Sequence, residues 1–246
     1  MINEETRRKL REMSMEDMIT VLDMQNTDSA YASLPFDDRF KLIVDYTYQG
    51  KYNDKVKRLL KQAKLRIPAA DINDIYYSDR GLDKSLILEL GTCQFILTNS
   101  NIIFQGFTGS GKSFLACSLG KQACKQGVCT RYIRLPDLLM LKDEAANVRQ
   151  GASKLLTKFS RYRLLLIDEW LFENLSEEEL HFIFELMERR HDNSSTIFCT
   201  QYKLDNWHSR LGGGILADSI MDRIVHKAVN VYAGNINMRE MLAKAY

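Results

Sequence analysis

The sequence predicts an α/β fold, a parallel sheet with helices on both faces, preceded by a small all-α N-terminal domain. Three observations carry that expectation. From about residue 70 onward, short apolar runs alternate with helical stretches, as in strand–helix–strand units. The runs are apolar throughout rather than alternating, which suits strands buried on both faces. Residues 1–66 contain no strand-like run. Pro68, which cannot continue a helix, sets the boundary between a helical domain over 1–67 and an α/β domain over 68–246.

Three short helices are expected before that boundary. The first, Arg7 to Asp23, carries Leu10, Met13, Met18, Ile19 and Leu22. The second, Phe36 to Tyr48, follows the break at Leu34-Pro35 and includes Phe40, Ile43 and Val44. The third, from Lys51 to Arg66, holds seven basic residues (Lys51, Lys55, Lys57, Arg58, Lys61, Lys64 and Arg66) against the single acid Asp54. Val56, Leu59, Leu60, Ala63 and Ile67 recur there on one face. A basic amphipathic helix fits a nucleic-acid backbone, an acidic protein or a membrane surface, and an ordinary solvated helix looks the same.

Asn101-Ile102-Ile103-Phe104-Gln105 reads as the first strand. It runs straight into Gly106-Phe107-Thr108-Gly109-Ser110-Gly111-Lys112-Ser113, which fits G-x-x-x-x-G-K-[ST]. Lacking a Cβ, Gly106, Gly109 and Gly111 let backbone N–H groups curl inward around a polyphosphate. Lys112 is placed to reach the β- and γ-phosphates, and the Ser113 hydroxyl to ligate Mg²⁺. Phe114 opens the departing helix, whose positive dipole end adds to the attraction. Strand, loop and helix together mark a nucleotide site rather than a glycine-rich turn.

Thr130–Ile133 is the next strand. Leu164–Ile167 follows and delivers Asp168 and Glu169 to its tip, about 55 residues beyond the phosphate loop. Asp168 suits Mg²⁺, directly or through water. Glu169 suits a general base that polarises the attacking water, a pairing that marks hydrolysis rather than transfer to a bound acceptor. Ser195–Cys199 ends in Thr200-Gln201-Tyr202. In P-loop ATPases whose sheet inserts a strand between the two signatures, a polar residue here senses the γ-phosphate, and Thr200 and Gln201 both fit. The helix over Ala217–Ile224 carries Arg223, suited to reach the γ-phosphate of a neighbouring subunit. An ion pair with Asp218 or Asp222 is the alternative. Ala228–Tyr232 is the last strand, and Arg239 beyond it is a candidate for phosphate within the same subunit.

Composition narrows the rest. Net charge is +2, with 45% hydrophobic and 27% charged residues, as in an ordinary globular protein. No apolar run approaches a membrane span, and Met1-Ile2-Asn3-Glu4-Glu5 is not a signal peptide, so a cytoplasmic protein without membrane association is expected. Cys93, Cys117, Cys124, Cys129 and Cys199 form an odd set without a C-x-x-C pair and read as small apolar residues. His181, His191, His208 and His226 lie far apart and read as structural or surface residues.

Taken together, these residues resemble the IstB family of AAA+ ATPases, helper proteins of insertion-sequence transposition related to the DnaC helicase loader. The likeness spans nearly the whole chain. Arg80-Gly81-Leu82-Asp83-Lys84 is similar to the family's segment ahead of the nucleotide domain, and Asn206-Trp207-His208 to its tryptophan–histidine pair. Asp218–His226 is similar to its arginine-finger helix. The resemblance implies a P-loop NTPase (AAA+) fold and ATP hydrolysis with Mg²⁺. It also implies self-association into a ring or spiral on double-stranded DNA, and delivery of target DNA to a partner transposase. A replicative helicase loader is the alternative. DNA contacts are implied for the N-terminal helices and for the inner face of the ring, where Lys142, Arg149, Lys154 and Lys158 are candidates. The chain departs from the family at Trp170, where phenylalanine is usual, at Glu169, where many relatives carry aspartate, and at Gly212-Gly213-Gly214.

Overall fold

The structure is a computed structural model and describes residues 2–78 and 80–244. The chain divides into two compact units, residues 1–58 and 59–246.

The first unit is helical. Helix α1 (Glu4–Glu12) starts at Asn3, whose side chain accepts from the Thr6 N–H at 2.8 Å. It stops in a Schellman turn. Ser14 sits at φ 54°, with Met15 N–H bonded to Leu10 O and Ser14 N–H to Arg11 O, both at 2.8 Å. That turn splits the single helix expected over Arg7–Asp23 into α1 and α2 (Glu16–Thr27), which Arg7 and Asp23 join by an ion pair. The opposite correction applies further on. The separate helices expected over Phe36–Tyr48 and Lys51–Arg66 are one continuous helix, α3 (Phe36–Ala63). A lone helical glycine costs only ~1 kcal/mol, too little to break it. Gly50 instead leaves room for the Asp17 carboxylate, which occupies the place a Cβ would take. Helix α3 crosses the division between the units and ends just before Lys64, at φ 49°.

In the second unit α4 (Lys84–Gly91) and α5 (Gln94–Leu97) precede a five-stranded parallel sheet. Its strands are β1 (Asn101–Gln105), β2 (Thr130–Arg134), β3 (Leu164–Asp168), β4 (Ser195–Thr200) and β5 (Ala228–Tyr232), in the order β2-β3-β4-β1-β5. All five lie where the apolar runs placed them. Helix α6 (Lys112–Lys125) follows β1, α7 (Leu135–Ala146) and α8 (Gly151–Ser160) follow β2, and α9 (Glu177–Arg190) follows β3. Helices α10 (Trp207–Arg210) and α11 (Gly214–Val225) connect β4 to β5, and α12 (Met238–Lys244) closes the described chain.

Every residue of β3 and β4 is buried, which is why those runs do not alternate. Successive side chains serve opposite faces. Phe104, Leu164, Leu166 and Ile197 pack with Leu115 and Leu119 of α6. Ile103, Leu165, Ile167 and Phe198 pack with Ile183 and Leu186 of α9 and Ile220 and Ile224 of α11. Helices therefore cover both faces. In register, Gln105 lies beside Thr200 and Tyr232, and Arg134 beside Asp168, so the carboxyl ends of the strands form one level rim. Strand β4 separates β1 from β3, and the chain passes to both sides of β1, the arrangement that opens a ligand crevice at the rim. Among the described residues, no helix is long and apolar enough to cross a membrane.

Candidate functional site

The phosphate loop is a left-handed turn that only glycine accommodates here. Gly109 and Gly111 adopt φ 90° and 88°. A Cβ on Gly111 would lie 2.7 Å from Arg80 Nη2, and one on Gly109 would collide with Asn237. Arg80 itself is 2% exposed and ties three segments beneath the loop. Its Nε donates to Ala233 O at 2.8 Å, Nη1 to Tyr76 O at 3.2 Å, and Nη2 to Ser110 O. Burial lowers the pKa of this guanidinium.

Lys112 is the first residue of α6 and donates to the Gly106 and Phe107 carbonyls, each at 2.8 Å. Burial lowers its pKa, while nearby Asp168 works in the other direction. Asp168 is oriented from three sides. Oδ2 accepts from Ser113 Oγ at 2.6 Å and Tyr132 OH at 2.7 Å, and Oδ1 accepts from the Glu169 N–H at 2.9 Å. Burial, and then the Asp168 charge, push the Tyr132 phenol up, so it remains a donor. Ser113 and Asp168 thus bring two hard oxygens together on the rim. That donor set fits Mg²⁺, which takes one or two protein ligands and completes its shell with water and phosphate. Among the described residues no cluster of three His, Cys, Asp or Glu side chains forms an all-protein metal site.

Glu169 leaves the strand with φ 57°. The turn follows from Trp170, whose N–H bonds back to Cys199 O at 2.9 Å and whose ring packs 4.7 Å from Phe198 and 5.7 Å from Trp207. The two carboxylate oxygens of Glu169 face different arginines. Oε1 is 3.3 Å from Arg66 Nη1, and Oε2 is 3.4 Å from Arg134 Nη1.

The two sensor candidates separate. Thr200 is 1% exposed, donates to Trp170 O at 3.1 Å and accepts from Tyr202 N–H at 3.1 Å. Gln201 lines the cavity, and its Oε1 accepts from Thr108 Oγ in the phosphate loop at 3.3 Å. The cavity measures about 800 Å³ and joins Thr108, Gly109, Gly111, Lys112, Ser113, Phe114, Asp168, Glu169, Gln201 and Arg239. Arg239 stands at the start of α12, which is fixed to the loop by Met238 N–H donating to Gly109 O at 2.9 Å.

Arg223 lies elsewhere. It borders a hollow with Asn101, Ser194 and Thr196, at the opposite end of the strands from the phosphate loop. Its ion pair is with Glu188 of α9, not with Asp218 or Asp222, and the guanidinium stacks 4.8 Å over Phe184. Asp218 instead lies 3.2 Å from His208 Nε2.

A profile of the IstB-like ATP binding proteins matches residues 8–244. The chain belongs to that family. It is 30% identical over 231 residues to an insertion sequence ATP-binding protein of Sinorhizobium fredii, covering 94% of each chain. It is 32% identical over 205 residues to the IS1162 ATP-binding protein of Pseudomonas fluorescens, covering 82% of this chain and 87% of that one. Among solved structures, a DnaC helicase loader superposes with a TM-score of 0.53 at 22% identity, over 66% of this chain and 97% of that one. AMPPCP-bound DnaA from Aquifex aeolicus gives 0.55 at 18% identity, over 74% and 56%. These neighbours share the AAA+ P-loop fold.

Within this IstB-like chain the basic candidates scatter. Lys142 pairs with Asp143 and Glu178, and Arg149 lies in the exposed turn between α7 and α8. Lys154 and Lys158 line a hollow of about 480 Å³ along α8 with Arg161. In the first unit Lys51 donates to Ser14 O at 3.0 Å, Lys57 pairs with Asp54, and Lys55 and Arg58 are exposed. Lys61 and Lys64, in the second unit, are exposed as well. Sequence reasoning missed Arg66, Arg134 and Tyr132 as site residues. Arg80 stands in a motif that is visible in the sequence, but its place beneath the loop is set by contacts with Ser110 and Ala233 that lie far along the chain. Arg134 could have been found by position, since it ends the strand that neighbours β3, level with Asp168; Tyr132 lies mid-strand, level with Leu166, and reaches the site only through its long side chain.

Proposed function

We propose that this IstB-like protein binds and hydrolyses ATP at the rim of β1 and β3, and that it works on double-stranded DNA as the helper of a partner transposase. The observation that carries the reading is the convergence of Lys112, Ser113, Asp168, Glu169 and Gln201 on one cavity with room for a nucleoside triphosphate. Loop N–H groups and the start of α6 receive the phosphates. Lys112 pairs with the β- and γ-oxygens. Ser113 and Asp168 hold Mg²⁺, which supplies charge neutralisation on the phosphates when bound. Glu169 takes a proton from water as the water oxygen bonds to Pγ. The bond from Pγ to the bridging oxygen breaks, and its electron pair leaves with ADP. Gln201, beside Thr108, orients the water or the terminal phosphate, and Arg239 contacts phosphate in the same subunit.

Arg223, remote from its own cavity, serves the cavity of a neighbour in a ring or spiral. Lys51, Lys55, Lys57, Arg58, Lys61 and Lys64, and on the ATPase domain Lys142, Arg149, Lys154 and Lys158, are the candidate DNA contacts. The insertion-sequence names of the relatives support a transposase partner. The DnaC-like fold supports a helicase loader as the second reading.

The test is ATP turnover by the full chain, with and without duplex DNA, beside Lys112→Ala. Turnover should fall at least about a hundredfold in the variant. The duplex should stimulate the parent and bind less tightly as salt is added. Parental turnover in Lys112→Ala would overturn the reading.

A further inference from the structure

Glu169 is the base in the reading above, yet neither of its oxygens faces water alone. Arg66 takes one and Arg134 the other, at 3.3 and 3.4 Å. The two arginines are held differently. Arg134 is anchored by a fork to Asp137, at 2.9 Å from Nε and 2.5 Å from Nη2. The partners of Arg66 among the described residues belong to the site itself: Glu169, Asp168 at 3.6 Å, and Tyr132. Its side chain remains 43% exposed. Arg66 is therefore the half of the clamp that can be drawn off.

Its surroundings say by what. Lys61, Lys64 and Arg66 are all exposed within six residues, and Arg131 of the edge strand β2 donates to Gln62 O at 3.2 Å in the same place. A row of cations of this kind attracts a phosphate backbone. A guanidinium at its end exchanges a monodentate carboxylate contact for phosphate oxygens readily, because it binds both through the same planar fork. Arg66 is the member of the row that also reaches the cavity.

We propose that Arg66 is a latch on Glu169, released when the phosphate backbone of duplex DNA captures its guanidinium. DNA binding then frees one carboxylate oxygen to face the attacking water. This rests on the ATPase reading and adds to it the route by which DNA stimulates hydrolysis. Arg66 is a positioning residue, acting through Glu169.

The experiment compares the full chain with Arg66→Gln in three readouts: turnover without DNA, turnover at saturating duplex, and the salt dependence of duplex binding by fluorescence anisotropy. A half-exposed ion pair weighs about fivefold, so DNA-free turnover should rise by about that factor and the stimulation ratio should fall toward one. The slope of log K against log salt should drop by about 1, the loss of one phosphate contact. Lower turnover in both conditions, an unchanged stimulation ratio, or an unchanged salt slope overturns the latch. So does polyglutamate stimulating the parent as strongly as the duplex. Retained affinity for a fluorescent ATP analogue establishes that Arg66→Gln is folded; if it is lost, Arg66→Lys replaces it and is judged on the same ratio. Parental turnover no greater than that of Lys112→Ala sinks the ATPase reading and the latch together, whereas robust parental turnover with an unchanged ratio sinks the latch alone.

Discussion

Replacing Arg80 by methionine removes the support beneath the phosphate loop while filling much of the same volume. Two of its acceptors, the carbonyls of Ser110 and Ala233, belong to residues that are 0% exposed, so water cannot substitute for the guanidinium there. A hydrogen bond from a charged donor contributes about 1.5–3 kcal/mol, which sets the loss from these two at about 3–6 kcal/mol. The Tyr76 carbonyl, on an exposed residue, adds little. Part of the loss is offset, because the guanidinium no longer has to be buried, a cost visible in its lowered pKa. A net destabilisation of about 3 kcal/mol is expected. In a unit of this size each kcal/mol lowers Tm by about 2–4 °C, so the expected drop is about 6–12 °C. Nucleotide affinity should weaken about tenfold as well, since Gly111 packs directly on Arg80. Thermal melting and titration with a fluorescent ATP analogue measure the two effects. A shift below about 2 °C with unchanged affinity would refute the claim that Arg80 holds the loop in shape.

Four further outcomes are expected. Glu169→Gln should bind ATP as the parent does while turnover falls about 10²–10⁴-fold; an equal loss of binding would move Glu169 out of the base role. Gln201→Ala should cut turnover about tenfold or more with Tm nearly unchanged, whereas Thr200→Val should lower Tm by unseating Trp170, and the reverse pattern would exchange their roles. Arg223→Ala and Lys112→Ala, each inactive alone, should regain turnover when mixed, because one supplies an intact cavity and the other an intact arginine; a mixture that stays inactive argues against action across subunits. Lys125 at 3.0 Å, with the Asn73 N–H and Lys121, holds the Asp71 carboxyl below its usual range. Its stabilisation is therefore full above the unfolded pKa of about 3.9 and is lost as pH falls toward the lower folded value. Asp71→Asn should flatten the acid limb of stability, measured by urea unfolding at a series of pH values, and an unaltered limb would show that other carboxylates dominate.

The sheet was legible because its inner strands β3 and β4 are buried along their whole length and so write largely apolar runs, and because the loop glycines stand where left-handed turns demand them. Less legible were features that depend on partners distant in the chain. Nothing local to Ser14 marks a helix stop, since the turn there is closed by hydrogen bonds rather than by a breaking residue. Gly50 looked like an interruption, and only the approach of Asp17 shows why a glycine stands inside a helix. Arg66 meets Glu169 across 103 positions, and Arg223 meets Glu188 across 35, separations that no spacing rule spans. Thr200 and Gln201 were indistinguishable as neighbours at a strand tip. Their roles parted because the Trp170 carbonyl engages one hydroxyl from below.

Both tryptophans of the chain, Trp170 and Trp207, lie fully buried in one aromatic cluster with Phe198, directly behind Glu169, and neither indole N–H has a hydrogen-bond partner among the described residues. Tryptophan emission from this protein consequently originates from a single buried cluster behind the candidate site. Any rearrangement that reseats the strand tip should alter its wavelength or quenching without an added dye, which turns ordinary fluorescence into a local gauge of nucleotide binding.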